Sequence, residues 1–132
     1  REARTMSKAR VSIIVYGAYL ATAGLVLALI PNVLMALVGL PDDRGFWVRI
    51  AGALAFVLGI KGIYNSTAEN VAFFRFDSFT RTFAATFMVI LVLSGIAPKI
   101  ILVLAAIDYG GALWTVLAIQ ADKRSAVRTV AA

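Results

Sequence analysis

The sequence predicts an all-α integral membrane protein, a four-helix bundle with a short interfacial helix after the first span. Apolar residues make up 61% of the chain, compared with about 45–50% in an ordinary soluble domain. With 132 residues, the chain has too small an interior to bury this excess. Its apolar residues are also gathered into runs of spanning length, about 20 residues each. The runs do not alternate as barrel strands do, and unpaired backbone is not tolerated in lipid, so helices are predicted.

Four apolar segments define the predicted membrane domain at 11–120. The first span, 11–30, is uncharged and ends before Pro31, which breaks a helix. The apolar stretch Asn32–Leu40 that follows is predicted to be a short helix at the membrane interface. The other predicted spans are 46–64, 79–97 and 100–120.

Polar stretches separate these spans. In "PDDRG", Asp42 or Asp43 can cap the second span, where a carboxylate suits the positive helix end. The stretch "ENVAFFRFDSFTR" mixes aromatic and charged residues, so the third helix can begin early, along the interface. We expect Met6 to be the native start, with the preceding residues added for expression.

The basic residues are distributed unequally across the membrane. The chain carries 13 basic and 7 acidic residues. Four crossings place the basic tails at 1–10 and 121–132, which we expect to be mobile, on the same side as the second loop. That side holds Arg1, Arg4, Lys8, Arg10, Lys61, Arg75, Arg81, Lys123, Arg124 and Arg128. The other side holds Arg44, Arg49 and Lys99. The positive-inside tendency therefore predicts cytoplasmic termini in a bacterial inner membrane, and the dispersed charge argues against nucleic-acid binding.

The absence of two residue types limits the possible chemistry. The sequence contains no cysteine and no histidine. This excludes disulfides, thiolate chemistry, zinc fingers, histidine-ligated haem and a Ser-His-Asp arrangement. We therefore expect no catalytic residues, no metal and no cofactor, and a protein that is not an enzyme.

Small residues recur at helical spacing in three of the spans. Such residues allow two helix backbones to approach closely in lipid. The faces consist of Gly17, Ala21, Gly24 and Ala28 in the first span, Gly52, Phe56 and Gly59 in the second, and Gly111, Ala112 and Thr115 in the fourth. These faces indicate helix packing within one chain, the interface of a homo-oligomer, or the lining of a cavity.

Asp108 is the only charged residue in the run Ile100–Gln120. At a rise of 1.5 Å per residue it lies about 12 Å into the membrane. An ionised carboxylate at such depth costs at least about 2.5–3.5 kcal/mol, so it should face protein or water and have a partner. Arg49 is the preferred partner, because it shares the small-residue face of its helix and its guanidinium pairs well with a carboxylate.

Two other cations are less favourable partners for Asp108. Lys61 lies deeper and is more typical of a lysine that extends to the headgroups, and Arg81, at the start of the predicted third span, is farther away. An Arg49–Asp108 pair can be a sealed structural contact, or it can line a polar cavity that binds a ligand or relays a proton. Tyr109 and Trp114 can stack on a hydrophobic ligand or serve in packing.

Several stretches carry a family resemblance: "YGAYLATAGLVLALIPN", "GLP", "FWVRIAGALAFVLG", "FFRF" and "AAIDYGGALWTVLAI". Together they resemble the BphX-like family of small bacterial membrane proteins and, more loosely, the DoxX-like proteins. The likeness extends from Ser7 to Ile119 and rests on glycines, Pro31, Arg49 and Asp108, together with Trp114. It implies a four-helix membrane protein of a kind with unknown function, sometimes encoded near genes for aromatic degradation. It implies no activity.

We therefore expect an inner-membrane protein that binds, or helps to handle, a small hydrophobic or aromatic compound, with Arg49 and Asp108 at its polar centre. The expected partners are the lipid bilayer, this small ligand and a second copy of the chain. One alternative is a proton-coupled transporter that uses Asp108. Small multidrug transporters carry their key carboxylate in the first span, however, and this first span has none. A structural subunit of a larger membrane complex and a redox subunit are further alternatives.

Overall fold

A computed structural model describes residues 6–41 and 46–132. Within these ranges the chain forms helices and no strand. The helices are α1 (Lys8–Leu29), α2 (Pro31–Leu37), α3 (Phe46–Ser66), α4 (Val71–Leu93) and α5 (Ile101–Ala131). All but α2 are long and apolar enough to cross a membrane. The predicted all-α class, with four membrane-length helices and a short helix after the first, is confirmed. The predicted caps Asp42 and Asp43 lie outside the described residues.

The described residues fall into two compact units. The first unit contains 6–13 and Ser66–Ala132, and therefore the start of α1 with all of α4 and α5. The second unit contains the described part of Ile14–Asn65, which is the rest of α1 with α2 and nearly all of α3.

Close contacts between glycines join α1 to α3 in the second unit. A Cβ atom at Gly24 would lie 2.6 Å from the carbonyl oxygen of Gly52, and one at Gly17 would lie 2.9 Å from that of Gly59. As α1 advances from Gly17 to Gly24, its neighbour on α3 moves back from Gly59 to Gly52, so the helices run antiparallel. Ala21 is buried on the same face. These predicted small-residue faces therefore pack against each other within one chain.

The break after α1 arises at Pro31, as the sequence indicates. Proline has no N–H to continue the helical ladder, and the Val33 N–H bonds the Ile30 carbonyl oxygen at 3.3 Å. The last carbonyl groups of α1 therefore need other donors. Helix α2 ends at Leu37, and Gly39 follows it with a φ of +69°, which suits glycine. The short helix predicted over 32–40 is thus observed over Pro31–Leu37.

The third spanning helix differs from the predicted range of 79–97. Helix α4 begins at Val71 because Asn70 caps it, and the Asn70 side chain accepts hydrogen bonds from two first-turn amides at 2.9 and 3.4 Å. It ends at Leu93, shortly before Gly95, whose φ is +73°. The aromatic and charged stretch before the predicted span is therefore part of the helix.

Helical structure also extends into the predicted tails. Helix α1 begins at Lys8, inside the range 1–10, and α5 continues through most of 121–132. At 31 residues, α5 is about 45 Å long, which exceeds the roughly 30 Å hydrocarbon thickness. The stretch contains no glycine or proline to end the helix. Asp122 also anchors it, accepting hydrogen bonds from the backbone N–H groups of Lys8 and Ala9 at 3.1 and 3.0 Å.

The first unit is built around the hairpin of α4 and α5. Its apolar core consists of Ala9, Ile13, Phe74, Ala118 and Ile119. The buried residues of both helices recur every three or four positions, as on one helix face. They are Phe74, Ser78, Arg81 and Ala85 in α4, and Ala105, Asp108, Ala112, Thr115, Ala118 and Ile119 in α5. Charged residues thus lie in the same stripes as the apolar core.

Candidate functional site

A buried arginine marks the centre of the candidate site. Only 5% of the Arg81 side chain is exposed, and its guanidinium forms an ion pair with Asp77, one helical turn earlier on α4. Arg81 is the only buried cationic side chain in the part of the chain that the structure describes. A charge so enclosed in an apolar helix pair requires compensation, which Asp77 supplies.

Asp108 belongs to the same cluster. It is 8% exposed and lies on the face of α5 that packs in the first unit. Its charge acts on Asp77, which is also attracted by Arg81. Asp77, Arg81 and Asp108 therefore form one electrostatic group, referred to below as the charged cluster.

The three residues are distributed along the membrane normal. Measured from the start of α4, Asp77 lies about 9 Å and Arg81 about 15 Å along the helix. Asp108 lies about 10 Å from the start of α5, which enters from the opposite side. If each helix enters a hydrocarbon layer about 30 Å thick at its first residue, all three residues lie well inside that layer.

Hydroxyl groups accompany the charged cluster in the first unit. The hydroxyls of Ser12 and Thr115 lie 2.9 Å apart in a buried hydrogen bond between α1 and α5. Ser78, one turn before Arg81, donates to the Phe74 carbonyl at 3.0 Å. The interior of this unit therefore contains hydroxyl groups as well as the charged cluster.

The cluster carries an uneven formal charge. Two carboxylates, Asp77 and Asp108, accompany the single guanidinium of Arg81. If both carboxylates are ionised, the group has an excess negative charge in an apolar setting, which is costly. A proton or a cationic group can balance it. None of the acidic residues that the structure describes forms a group of three suited to a metal ion.

The structure gives Arg49 a different set of partners from the one expected. Its Nη1 donates hydrogen bonds to the carbonyl oxygens of Ala28 and Leu29, at 2.8 and 3.0 Å. These are the carbonyls left without donors by the break at Pro31. Arg49 therefore caps α1, and its positive charge suits the negative end of that helix. Arg49 and Asp108 fall in different units, so their pairing stays a prediction.

Three of the other predicted site residues are exposed, and the small residues predicted on α5 are not. Lys61 is exposed on α3, and its extension to the headgroups stays a prediction. Tyr109 is 39% exposed, and its hydroxyl lies 2.7 Å from that of Thr86 on α4. Trp114 is 45% exposed and lines a groove beside α1. Of the small residues predicted on α5, Ala112 is buried on the Asp108 face and Gly111 is half-buried.

From the sequence, Arg81 is expected only as a distant and less favourable partner of Asp108, and Asp77 is not expected as a partner. With a third span beginning at 79, Arg81 would lie at the membrane surface. Since α4 begins at Val71, Arg81 instead lies near the middle of its helix. The available signals were Asn70, a favourable N-cap, and the four-residue spacing of Asp77 and Arg81, which places them together on one face.

Comparisons with protein-family models, with curated proteins and with solved structures find no match to this chain. The candidate site is therefore interpreted from its own geometry.

Proposed function

We propose that this protein binds a small hydrophobic compound inside the membrane, at the charged cluster, through a cationic or hydrogen-bond-donating group of that compound. The observation that carries the proposal is the burial of Arg81 and Asp108, with the half-buried Asp77 beside them, on the packed faces of α4 and α5. Ionisable groups at membrane depth are costly and characteristically mark pathways for ions or substrates.

The charge of the cluster favours a particular class of ligand. A molecule that reaches this depth must dissolve in lipid, so most of its surface is apolar. The excess carboxylate favours a positive group over a negative one, since unlike charges attract strongly where water is excluded. The proposed ligand is therefore a lipophilic cation or an amphiphile that donates hydrogen bonds.

A pair of probes matched in shape tests this proposal. Tetraphenylphosphonium and tetraphenylborate are similar in size and opposite in charge. Binding of each to protein in nanodiscs is measured against empty nanodiscs by equilibrium dialysis. We expect the wild type to bind only the cation, and to bind it saturably. In Asp108→Asn this binding should be weakened about tenfold or more, a loss that corresponds to about 1.4 kcal/mol.

Two variants serve as controls for this measurement. Asp108→Glu keeps the charge and should retain binding. Asp122→Asn removes a carboxylate of α5 that caps the start of α1, away from the buried cluster, and should bind as the wild type does. Equal binding of the two probes, or equal weakening in both Asn variants, would contradict the proposal.

A second candidate function is proton-coupled transport, favoured by the same excess of carboxylate. With no ligand bound, a proton on one carboxylate would neutralise the excess; a cationic ligand would replace that proton. Binding should then release protons, and uptake of tetraphenylphosphonium into proteoliposomes should follow an imposed pH gradient. If tetraphenylphosphonium binds but the pH gradient does not drive its uptake, the transport function is eliminated and the binding function stands.

We also propose that the protein resides in a bacterial inner membrane with both termini in the cytoplasm. The support is the excess of lysine and arginine on that side of the predicted topology. Fusions of alkaline phosphatase and of a green fluorescent protein to the C-terminus test it, because the first is active outside and the second fluoresces inside.

Membership of the BphX-like family is likewise a proposal, supported by the stretches quoted above.

A further inference from the structure

A groove separates the start of α1 from the C-terminal half of α5. Its volume is about 380 Å³, and it belongs entirely to the first unit. Its lining residues are Met6, Lys8, Val11, Trp114, Leu117, Ala118 and Ala121. All but Lys8 are apolar. The short side chains of Ala118 and Ala121 leave the space that larger residues would fill.

The groove lies at the depth of lipid acyl chains. Counted from the start of α5, Trp114 is about 20 Å and Ala121 about 30 Å along the helix. With a hydrocarbon layer of roughly 30 Å, the groove extends from the membrane surface about 10 Å inward. Lys8, the first residue of α1, lies at its surface end. The apolar end of the groove is thus in hydrocarbon, and its charged end is at the headgroups.

We propose that this groove binds an anionic phospholipid, with part of an acyl chain along α5 and the phosphate beside the Lys8 ammonium. The groove is apolar at the depth of the acyl chains and cationic at the depth of the headgroups. Both parts of an anionic phospholipid therefore meet a surface of matching chemistry. Basic side chains at the cytoplasmic ends of membrane helices attract anionic headgroups.

The electrostatic setting of Lys8 supports the choice of an anion. Asp122 accepts from the backbone N–H groups of Lys8 and Ala9 and is engaged in capping α1. Within the part of the chain that the structure describes, Arg10 pairs with Glu69, whereas no ion pair involves the Lys8 ammonium. A lipid phosphate can supply the opposite charge.

Lipid retention after purification tests the proposal. Protein in nanodiscs of phosphatidylcholine with a minor fraction of phosphatidylglycerol is transferred to detergent, and the lipid that remains bound is measured by native mass spectrometry. We expect the wild type to retain phosphatidylglycerol over phosphatidylcholine by about fivefold, as estimated for one basic residue near the headgroups.

Four variants separate the two parts of the groove. Lys8→Gln should lose the preference for phosphatidylglycerol, whereas Lys8→Arg should keep it. Ala121→Phe, which fills the groove, should retain less of both lipids. Lys61→Gln makes the same charge change at an exposed position on α3 and should behave as the wild type does.

Three results would overturn the proposal. They are equal retention of the two lipids by the wild type, an equal effect of Lys8→Gln and Lys61→Gln, and undiminished retention in Ala121→Phe. A folded Lys8→Arg protein without the preference would overturn it as well, so the test does not depend on the stability of any one variant. Competition by a free fatty acid as effective as that by phosphatidylglycerol would show that the phosphate is not recognised.

Discussion

Arg81 and Asp77 form an ion pair one turn apart on the buried side of α4, and Asp108 of α5 acts electrostatically on the same aspartate. The pair lies within one helix, so it needs no neighbour to form. Its burial, in contrast, depends on the packing of α4 against α5. The packing of the α4–α5 hairpin therefore encloses the charged cluster.

Removal of the Arg81 charge should destabilise the protein strongly. In Arg81→Gln, two carboxylates remain in the interior without their cation. Loss of one partner of a buried ion pair typically costs about 3–5 kcal/mol, because the remaining charge is uncompensated. Unfolding in mixed micelles with increasing dodecyl sulfate, followed by circular dichroism, measures the change.

The neighbouring Arg75 provides the control, since it lies on the same helix but is exposed. Arg75→Gln should change the free energy of unfolding by less than about 1 kcal/mol. The double variant Arg81→Gln with Asp77→Asn should recover part of the loss, because it removes one of the uncompensated carboxylates. A single Arg81 variant no less stable than Arg75→Gln would refute the role assigned to the ion pair.

Only part of the charged cluster could be predicted from the sequence. Asp108 stands out because a lone charge interrupts an apolar run of spanning length. Arg81 and Asp77 are obscured because polar and aromatic residues precede the apolar core of α4, and hydropathy places the helix start too late. The cap at Asn70, a local hydrogen-bonding feature, determines where this helix begins.

The partners of Arg49 could not be predicted from its position in the sequence. The predicted membrane depth of Arg49 and its place on the small-residue face of its helix suggested a carboxylate partner. In the structure, its partners are the main-chain carbonyls of Ala28 and Leu29. Carbonyl groups are present at every residue, so their availability can be inferred only where a helix breaks. Pro31 marks that break in the sequence, but the approach of α3 to it depends on the packing of the glycine faces.

Replacement of Arg49 should therefore affect stability and not ligand binding. Arg49→Ala leaves the last carbonyls of α1 without donors, and a hydrogen bond from a charged group is worth about 1.5–3 kcal/mol. Denaturation in micelles should detect this loss, while binding of tetraphenylphosphonium to the folded protein stays unchanged. Lys61→Ala, which also removes a cation from α3, should alter neither. Weakened binding by folded Arg49→Ala would instead favour the predicted polar site.

A methyl group at Gly24 should disrupt the contact of α1 with α3. The added Cβ would lie 2.6 Å from the Gly52 carbonyl oxygen, where backbone must move. Such overpacking costs about 1–3 kcal/mol. Gly62→Ala on α3 is the matched control, because nothing lies within 4 Å of its added Cβ. Thermal unfolding should distinguish the two, and an equal effect would show that the close approach does not determine stability.

Loss of the Asp122 carboxylate should loosen the start of α1. In Asp122→Ala, the N–H groups of Lys8 and Ala9 lose their acceptor, and removal of such a cap costs about 1 kcal/mol. Asp122→Asn keeps an acceptor but loses the charge that suits the positive helix end, so its effect should be smaller. Hydrogen exchange at the amides of α1 measures the change, with Lys123→Ala as the control on the same turn of α5. Faster exchange confined to the first turn of α1 in Asp122→Ala is the expected result, and unchanged exchange there would exclude the capping role.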